Sequence, residues 1–142
     1  MQELEIYIDG ASKGNPGPSG IGVVICRLGT VIKNISVFIG NATNNVAEYT
    51  ALVYALEEAL ILKADVLKIK TDSQLLARQL NKVYKVKSGS ILPLYNQSEH
   101  LLRAFKKVSI ENIPREMNRG ADKLASNAVK KRLTGQVGCG CS

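Results

Sequence analysis

The period of the hydrophobic residues changes once in the first half of the chain, and this change restricts the fold more than any other feature. Residues 4 to 8 alternate between apolar and polar side chains, the period-2 pattern of a β-strand. Apolar runs at 21–28 and 31–39 predict two more strands, so the chain opens with an antiparallel meander. From Thr43 onwards the apolar residues recur every three or four positions, which predicts an amphipathic helix with Thr43 or Asn44 at its N-cap.

Strands and helices then alternate along the rest of the chain. The turn formers of 11–19 predict a loop directly after Asp9-Gly10, residues 66–71 predict a fourth strand, and Ser73 predicts a short helix that ends near Asn81. We expect a third helix over 95–107, a fifth strand over 108–113, a loop with Pro114 and a last helix over about 120–133. The order βββαβααβα predicts an α/β fold with a mixed five-stranded sheet and helices packed against it. A chain of 142 residues fits one such domain.

The charge balance favours a polyanionic partner, because 19 Lys and Arg against 12 Asp and Glu give a net charge of +7. No segment reaches the roughly 20 apolar residues of a membrane span. Glu3 and Glu5 interrupt the first apolar stretch, where a signal peptide needs a long apolar run. We therefore expect a cytoplasmic protein with no membrane partner. Residues 134–142 predict a flexible tail, in which Cys139 and Cys141 leave a metal site or a disulfide open as alternatives.

Two aspartates follow predicted strands that we expect to lie side by side. If the fourth strand is parallel to the first, as a crossover through a helix favours, Asp9 and Asp72 meet at the same edge of the sheet. Strands about 4.8 Å apart would bring their carboxylates close enough to share a cation. Taken singly, Asp9 also fits a turn before glycine and Asp72 fits the first turn of a helix.

Two further acidic residues are unremarkable on their own, since Glu48 fits an exposed helix flank and Asp122 fits a first helical turn. All four acidic residues, however, lie in strings that resemble the ribonuclease H family in order and spacing. These strings are DGASKGNPGPSGIG at 9–22, TNNVAEY at 43–49, TDSQLL at 71–76 and PREMNRGADKLA at 114–125. The resemblance covers essentially the whole chain and implies the ribonuclease H-like fold.

The resemblance implies a metal-dependent endoribonuclease that cuts the RNA strand of an RNA–DNA hybrid, acting as a monomer. It implies that Asp9, Glu48, Asp72 and Asp122 are catalytic and hold two Mg²⁺ or Mn²⁺ ions, with Asp9 bridging them. Glu48 and Asp72 would hold one ion, and Asp122 would complete the other. Hard divalent cations prefer carboxylate oxygens, and a two-ion site activates water and stabilises the leaving oxygen. Products with 5′-phosphate and 3′-hydroxyl ends are expected.

The same resemblance implies a set of substrate contacts. Asn15, Asn44, Asn45 and Gln74 match positions that contact the RNA strand, and Thr43 matches a contact to a DNA phosphate. Amides can donate to and accept from 2′-hydroxyls, which distinguish RNA from DNA. Turn and cap formation accounts for part of the role of Asn15 and Asn44. The full expected set is Gly10, Asn15, Thr43, Asn44, Asn45, Gln74, Lys85, Lys87, Arg115 and Asn118.

Two departures from the family pattern are visible. Well-studied members carry a histidine in the loop before the last aspartate, whereas this loop has Arg115 and Glu116, and the single histidine, His100, is expected on a helix surface. The stretch between the second and third helices is too short for a large basic protrusion, which Lys82, Lys85 and Lys87 around Tyr84 replace in part. We also expect no N-terminal hybrid-binding module, so the chain resembles the small form of the type 1 enzymes.

Alternative functions stay open at this point. A non-catalytic nucleic-acid binding module could keep the fold, although four clustered carboxylates would repel phosphate unless metal were bound. A nuclease of the same fold that acts on double-stranded RNA, or a domain derived from a retroelement, is a nearer alternative.

Overall fold

The computed structural model describes residues 2–133, and its element order confirms the predicted βββαβααβα arrangement. The predicted tail at 134–142, including Cys139 and Cys141, lies outside the described residues. The five strands are β1 (Glu3–Ser12), β2 (Gly17–Arg27), β3 (Thr30–Ala42), β4 (Val66–Thr71) and β5 (Lys107–Asn112), and the helices are α1 (Asn44–Ile61), α2 (Gln74–Leu80), α3 (Leu92–Leu102) and α4 (Arg119–Leu133). A 3₁₀ turn, Arg115–Met117, precedes α4.

The sheet has the strand order β3-β2-β1-β4-β5, which puts β1 at its centre. The first three strands are antiparallel neighbours, whereas β4 and β5 run parallel to β1. Helix α1 connects β3 to β4, which run in the same direction and therefore need a crossover connection instead of a tight turn. The carboxyl ends of β1 and β4 therefore lie at the same edge of the sheet.

Side chains alternate along each strand, so the sheet has two faces, and different helices pack against them. Leu4, Ile6 and Ile8 of β1 are fully buried in the core that α1 covers. Helix α4 packs on the opposite face against glycines of β2, where a Cβ at Gly22 would lie 2.0 Å from the carbonyl oxygen of Ala121. None of the helices within residues 2–133 has the length and apolar character needed to cross a membrane.

The predicted loop after Asp9-Gly10 is wrong, because β1 continues to Ser12 and β2 already begins at Gly17. The ladder between the two strands extends to the Ser12 and Ser19 pair, so hydrogen bonding overrides the turn-forming composition of this stretch. Only four residues, 13–16, remain in the hairpin loop.

The predicted bounds of α3 are also wrong, since it runs from Leu92 to Leu102 instead of over 95–107. Pro93 occupies its first turn, where a missing backbone N–H costs little. The chain leaves the helix after Leu102 because Lys107 already pairs with Val66 in the ladder between β4 and β5. Strand β5 thus begins one residue earlier than predicted, and the N-caps of α1 and α2 are Thr43 and Ser73.

Candidate active site

The carboxylates of Asp9 and Asp72 meet at one edge of the sheet because their strands are parallel neighbours. Ile8 on β1 pairs with Thr71 on β4, so the residue that follows each of them projects from the same face. Asp9 is buried at 5% exposure, and Asp72 is half-buried. The juxtaposition predicted from strand order is thus present in the structure.

Glu48 reaches this edge from α1, on the other side of the sheet. Gly10 permits the approach, because a Cβ there would lie 2.4 Å from the carbonyl carbon of Ala47. The backbone N–H of Gly10 donates a hydrogen bond to Oε1 of Glu48 at 2.7 Å. Glu48 is consequently 8% exposed, whereas the helical pattern alone favoured an ordinary exposed glutamate. Acidic side chains are seldom buried without a partner, and clustered, perturbed carboxylates are typical of functional sites. The burial of Glu48 beside two other carboxylates therefore indicates a functional role and not an ordinary surface charge.

Burial and mutual repulsion raise the pKa values of the two most buried carboxyls. The pKa of Asp9 rises from 3.8 to about 8, mainly because burial penalises the charged form and then because Asp72 and Asp122 lie nearby. Burial is also the largest cause of the raised pKa of Glu48, followed by the charge of Asp9, and the N–H of Gly10 opposes the rise only in part. Without a cation, the pocket therefore favours retention of protons.

The fourth carboxylate of the pocket, Asp122, lies in the first turn of α4, and the side chain of Arg115 lies next to it. Nη2 of Arg115 lies 3.8 Å from Oδ1 of Asp122, with side-chain exposures of 78% and 35%. An ion pair between groups this exposed contributes at most about 1 kcal/mol, so it does not fix the guanidinium in place. Arg115 lines the pocket together with the carboxylates, while His100 is exposed on α3 and lies outside the lining.

The donor set fits the metal ions implied by the sequence. One carboxylate oxygen from each of Asp9, Glu48 and Asp72 lies within 4.8 Å of the other two, and Asp122 stands beside Asp9 without joining this trio. Hard cations such as Mg²⁺ and Mn²⁺ take carboxylate oxygens and keep waters for a phosphate ligand. The surrounding pocket holds about 470 Å³ and is open to solvent on one side. Its lining is Asp9, Gly10, Ala11, Ser12, Asn44, Glu48, Asp72, Arg115 and Asp122.

Hydrogen bonds among the predicted substrate contacts tie the β1–β2 hairpin to the start of α1. Oδ1 of Asn44 accepts from the N–H of Ser12 at 3.1 Å, and Oδ1 of Asn15 accepts from the N–H of Asn44 at 3.0 Å. Thr43 caps α1 by accepting from the N–H of Val46. Both asparagine side chains remain exposed beside the pocket, as does Asn45. The turn and cap roles expected for Asn15 and Asn44 are therefore part of what they do.

Asn118 occupies a different position from the other predicted contacts. It is 1% exposed, and its Nδ2 donates to the carbonyl oxygen of Ile8 at 2.8 Å and lies 3.4 Å from Oδ2 of Asp72. Its amide is thus used inside the protein, where it links the loop before α4 to the end of β1. Asn118 orients Asp72 and does not face the space that a substrate would enter.

A shallow basic groove lies beside α2. It holds about 410 Å³ and is lined by Leu75, Val83, Tyr84, Lys85 and Lys87. The guanidinium of Arg78 lies 5.3 Å from the Tyr84 ring centroid and donates to its hydroxyl at 2.7 Å, which orients the ring. Lys82 lies outside this lining, and its ammonium group pairs with Glu99 at 2.7 Å. Gln74 is exposed on α2.

Comparisons with known proteins identify the family. The sequence profile of a family described as reverse transcriptase-like matches residues 7–128. A bifunctional protein of Mycobacterium tuberculosis is 40% identical over 129 residues, covering 89% of this chain and 35% of that protein. Ribonuclease HI of Halobacterium salinarum is 39% identical over 127 residues, covering 89% of this chain and 64% of that protein. The chain thus spans about a third of the first relative and less than two thirds of the second.

Solved structures agree with these relatives. The N-terminal RNase H domain of the M. tuberculosis protein superposes with a TM-score of 0.91 at 37% identity, covering 96% of this chain and all of that domain. LC11-RNase H1, from compost, was solved with an RNA/DNA hybrid and superposes with a TM-score of 0.86 at 39% identity, covering 92% and 99%. A mixed sheet with carboxylates where the parallel ladder of β1 and β4 ends is the arrangement of the ribonuclease H-like class. The chain belongs to the ribonuclease H family.

Proposed function

We propose that the protein is an endoribonuclease that hydrolyses the RNA strand of RNA–DNA hybrids, with 5′-phosphate and 3′-hydroxyl products. The observation that supports this most is the convergence of Asp9, Glu48, Asp72 and Asp122 on one open pocket. We extend the proposal to a monomer that acts in the cytoplasm. Labelled hybrid, double-stranded RNA and double-stranded DNA, each with Mg²⁺, Mn²⁺ or chelator, provide the test. Metal-dependent cleavage of hybrid RNA is expected, and binding of hybrid without cleavage would favour a non-catalytic module instead.

The four carboxylates would hold two Mg²⁺ or Mn²⁺ ions, and the chemistry that such ions would supply is a lowered pKa of the attacking water and neutralisation of charge on the leaving 3′ oxygen. The protein's own groups prepare this arrangement. Gly10 N–H orients Glu48, and Asn118 orients Asp72. Because strand and helix backbones hold Asp9 and Glu48, little reorganisation is needed when the substrate phosphate arrives. Because the pocket is open to solvent on one side, the backbone of a duplex would approach the carboxylates from that side.

Discrimination between RNA and DNA is assigned to the amides, and general affinity to the lysines. Asn45 and Gln74 are exposed, as 2′-hydroxyl contacts must be, and Lys85 and Lys87 line the groove beside α2. A 2′-hydroxyl is recognised only by groups that reach the sugar, whereas phosphates are common to both strands. Because the two kinds of group recognise different parts of the substrate, their contributions can be measured separately.

Replacing Asn45 by Ala is therefore expected to reduce cleavage at a single ribonucleotide by about tenfold, since loss of one amide contact costs on the order of 1 kcal/mol. Lys85→Ala should instead weaken binding to every duplex and make its salt dependence shallower. The measurement compares hybrids that carry one ribonucleotide or one 2′-deoxy position, across salt concentrations. An effect of Lys85→Ala on RNA-versus-DNA discrimination, with none from Asn45→Ala, would reverse the assignment.

Arg115→Ala is expected to lower turnover more than substrate affinity. A guanidinium cannot act as a general base near neutral pH, so its contribution must come from its charge at the scissile phosphate. Its weak pairing with Asp122 leaves it able to make that contact. Single-turnover and steady-state rates separate the two effects, and Arg115→Lys should recover part of the loss. Turnover equal to that of the unmodified protein would make Arg115 a surface residue.

A further inference from the structure

A second groove continues from the carboxylate pocket along the β1–β2 hairpin. It holds about 240 Å³ and is lined by Ala11, Ser12, Lys13, Ser126, Val129 and Lys130. Ala11 and Ser12 also line the carboxylate pocket, so the two depressions are continuous. The hairpin forms one wall of this hairpin groove and α4 forms the other.

The hairpin wall holds Lys13 in a defined place. Alternation along β1 directs Asp9 and Ala11 to the face of the sheet that α4 covers, and Lys13, the first residue after β1, lines the groove beside Ala11. The N–H of Lys13 donates to the carbonyl oxygen of Pro18 at 2.8 Å, and a Cβ at Gly17 would lie 2.0 Å from the carbonyl oxygen of Lys13. The backbone of Lys13 is therefore packed on both sides, while its side chain is exposed.

The side-chain charge on the α4 wall changes from negative to positive along one side of the helix. Asp122, Ser126 and Lys130 are four residues apart in turn, so they share one shoulder of α4 over about 12 Å. Asp122 faces the carboxylate pocket, and Lys130 lines the hairpin groove opposite Lys13. The basic side chains of the hairpin groove therefore lie next to the pocket that contains the proposed metal-binding carboxylates. Between the two lysines, the floor is formed by the small apolar surfaces of Ala11 and Val129.

We infer that the hairpin groove binds the sugar–phosphate backbone of the strand being cut, with Lys13 and Lys130 contacting a phosphate beyond the scissile one. The inference rests on the proposed function and extends it to a second contact region. A ribose ring offers a carbon face that suits an apolar floor, and its phosphate suits flanking ammonium groups. Continuity with the carboxylate pocket favours the same strand as the occupant, because a backbone leaving that pocket along β1 enters the groove directly.

The affinity test compares hybrid binding with Ca²⁺ in place of Mg²⁺, under conditions in which no cleavage is seen. The Lys13→Ala/Lys130→Ala protein should bind on the order of tenfold more weakly, with a log–log salt slope shallower by about two units. The single Lys13→Ala variant should show about half of that change. Lys107→Ala, which removes the same charge at the opposite end of the sheet, is the matched control and should bind normally. Equal loss in the control would overturn the groove as a specific site.

A position test distinguishes a groove contact from general attraction. Uncharged methylphosphonate linkages are placed one at a time along the RNA strand of a hybrid with a fixed cleavage site. One linkage beyond the scissile phosphate should weaken binding to the unmodified protein but not to the Lys13→Ala/Lys130→Ala protein. If the unmodified protein cleaves hybrid RNA but no linkage behaves in this way, the groove is refuted and the proposed function stands. If it cleaves no hybrid at all, the proposed function itself fails.

Discussion

Replacing Asp9 by Asn is expected to abolish hydrolysis and to raise the melting temperature of the metal-free protein. Asparagine keeps the size of the side chain but removes a carboxyl group that is buried beside Asp72 and Asp122, which the fold must either keep protonated or hold as a charge. Loss of a central ligand of the proposed metal site should lower the rate at least about a hundredfold. Glu57→Gln, an exposed change on α1, should leave both activity and stability unaltered. Retention of more than a few per cent of activity by Asp9→Asn would show that the catalytic residues were assigned wrongly.

The gain in stability should depend on pH in a defined direction. Because the pKa of Asp9 is raised from 3.8 to about 8, the folded protein keeps a proton that the unfolded chain has released in this range. The free energy of unfolding of the metal-free protein therefore falls as pH rises through this window, by at most about 6 kcal/mol. Asp9→Asn should remove much of this slope, and Mg²⁺ or Mn²⁺ should restore stability near pH 8. Denaturant titrations with chelator across this range provide the measurement.

Gly22→Ala is expected to reduce the free energy of unfolding by about 3 kcal/mol or more. The added Cβ would lie 2.0 Å from the carbonyl oxygen of Ala121 and 2.8 Å from the backbone nitrogen of Ala125, so α4 must move as a whole. Movement of α4 displaces Asp122, and activity should fall even where the protein remains folded.

Gly89→Ala is the matched control for this substitution, because a Cβ at Gly89 meets no atom within 4 Å. Its stability should stay within about 0.5 kcal/mol of the unmodified protein. Urea denaturation of both variants, with activity measured well below their melting temperatures, tests the pair. Similar stability of the two variants would mean that the contact between α4 and β2 is looser than its geometry implies.

The sequence predicted the parts of the site that depend on strand order. Asp9 and Asp72 lie directly after the last pair of the β1–β4 ladder, so their approach could be inferred from the strand periodicity together with the parallel pairing that a helical crossover favours. Glu48 could not be found in this way, because its burial depends on how closely α1 packs on Gly10. Only the resemblance to a family joined Glu48 and Asp122 to the two strand residues.

The boundaries of elements were predicted less well than their order. The hairpin loop was predicted too long because turn-forming residues such as Ser12 can also extend a ladder when a partner strand is present. The place of Asn118 depends on its contact with Ile8, 110 residues away in the chain, which no local pattern indicates. Lys13 gave no signal at all, since its importance depends on the α4 wall opposite it.

The four carboxylates stand on two parts of the fold that are packed in different ways. Asp9, Glu48 and Asp72 belong to the sheet and α1, whose core contains large buried side chains, whereas α4 is seated mainly through alanines on glycines. Small contacts of this kind bury less apolar area than the leucine and isoleucine side chains under α1, so an opening that releases α4 would cost less free energy than one that releases α1. Each such opening would withdraw Asp122 and leave the other three ligands together. In the proposed ligand set, an ion held by both Asp9 and Asp122 would connect α4 to the sheet. Metal binding would therefore also reduce the local opening of this helix.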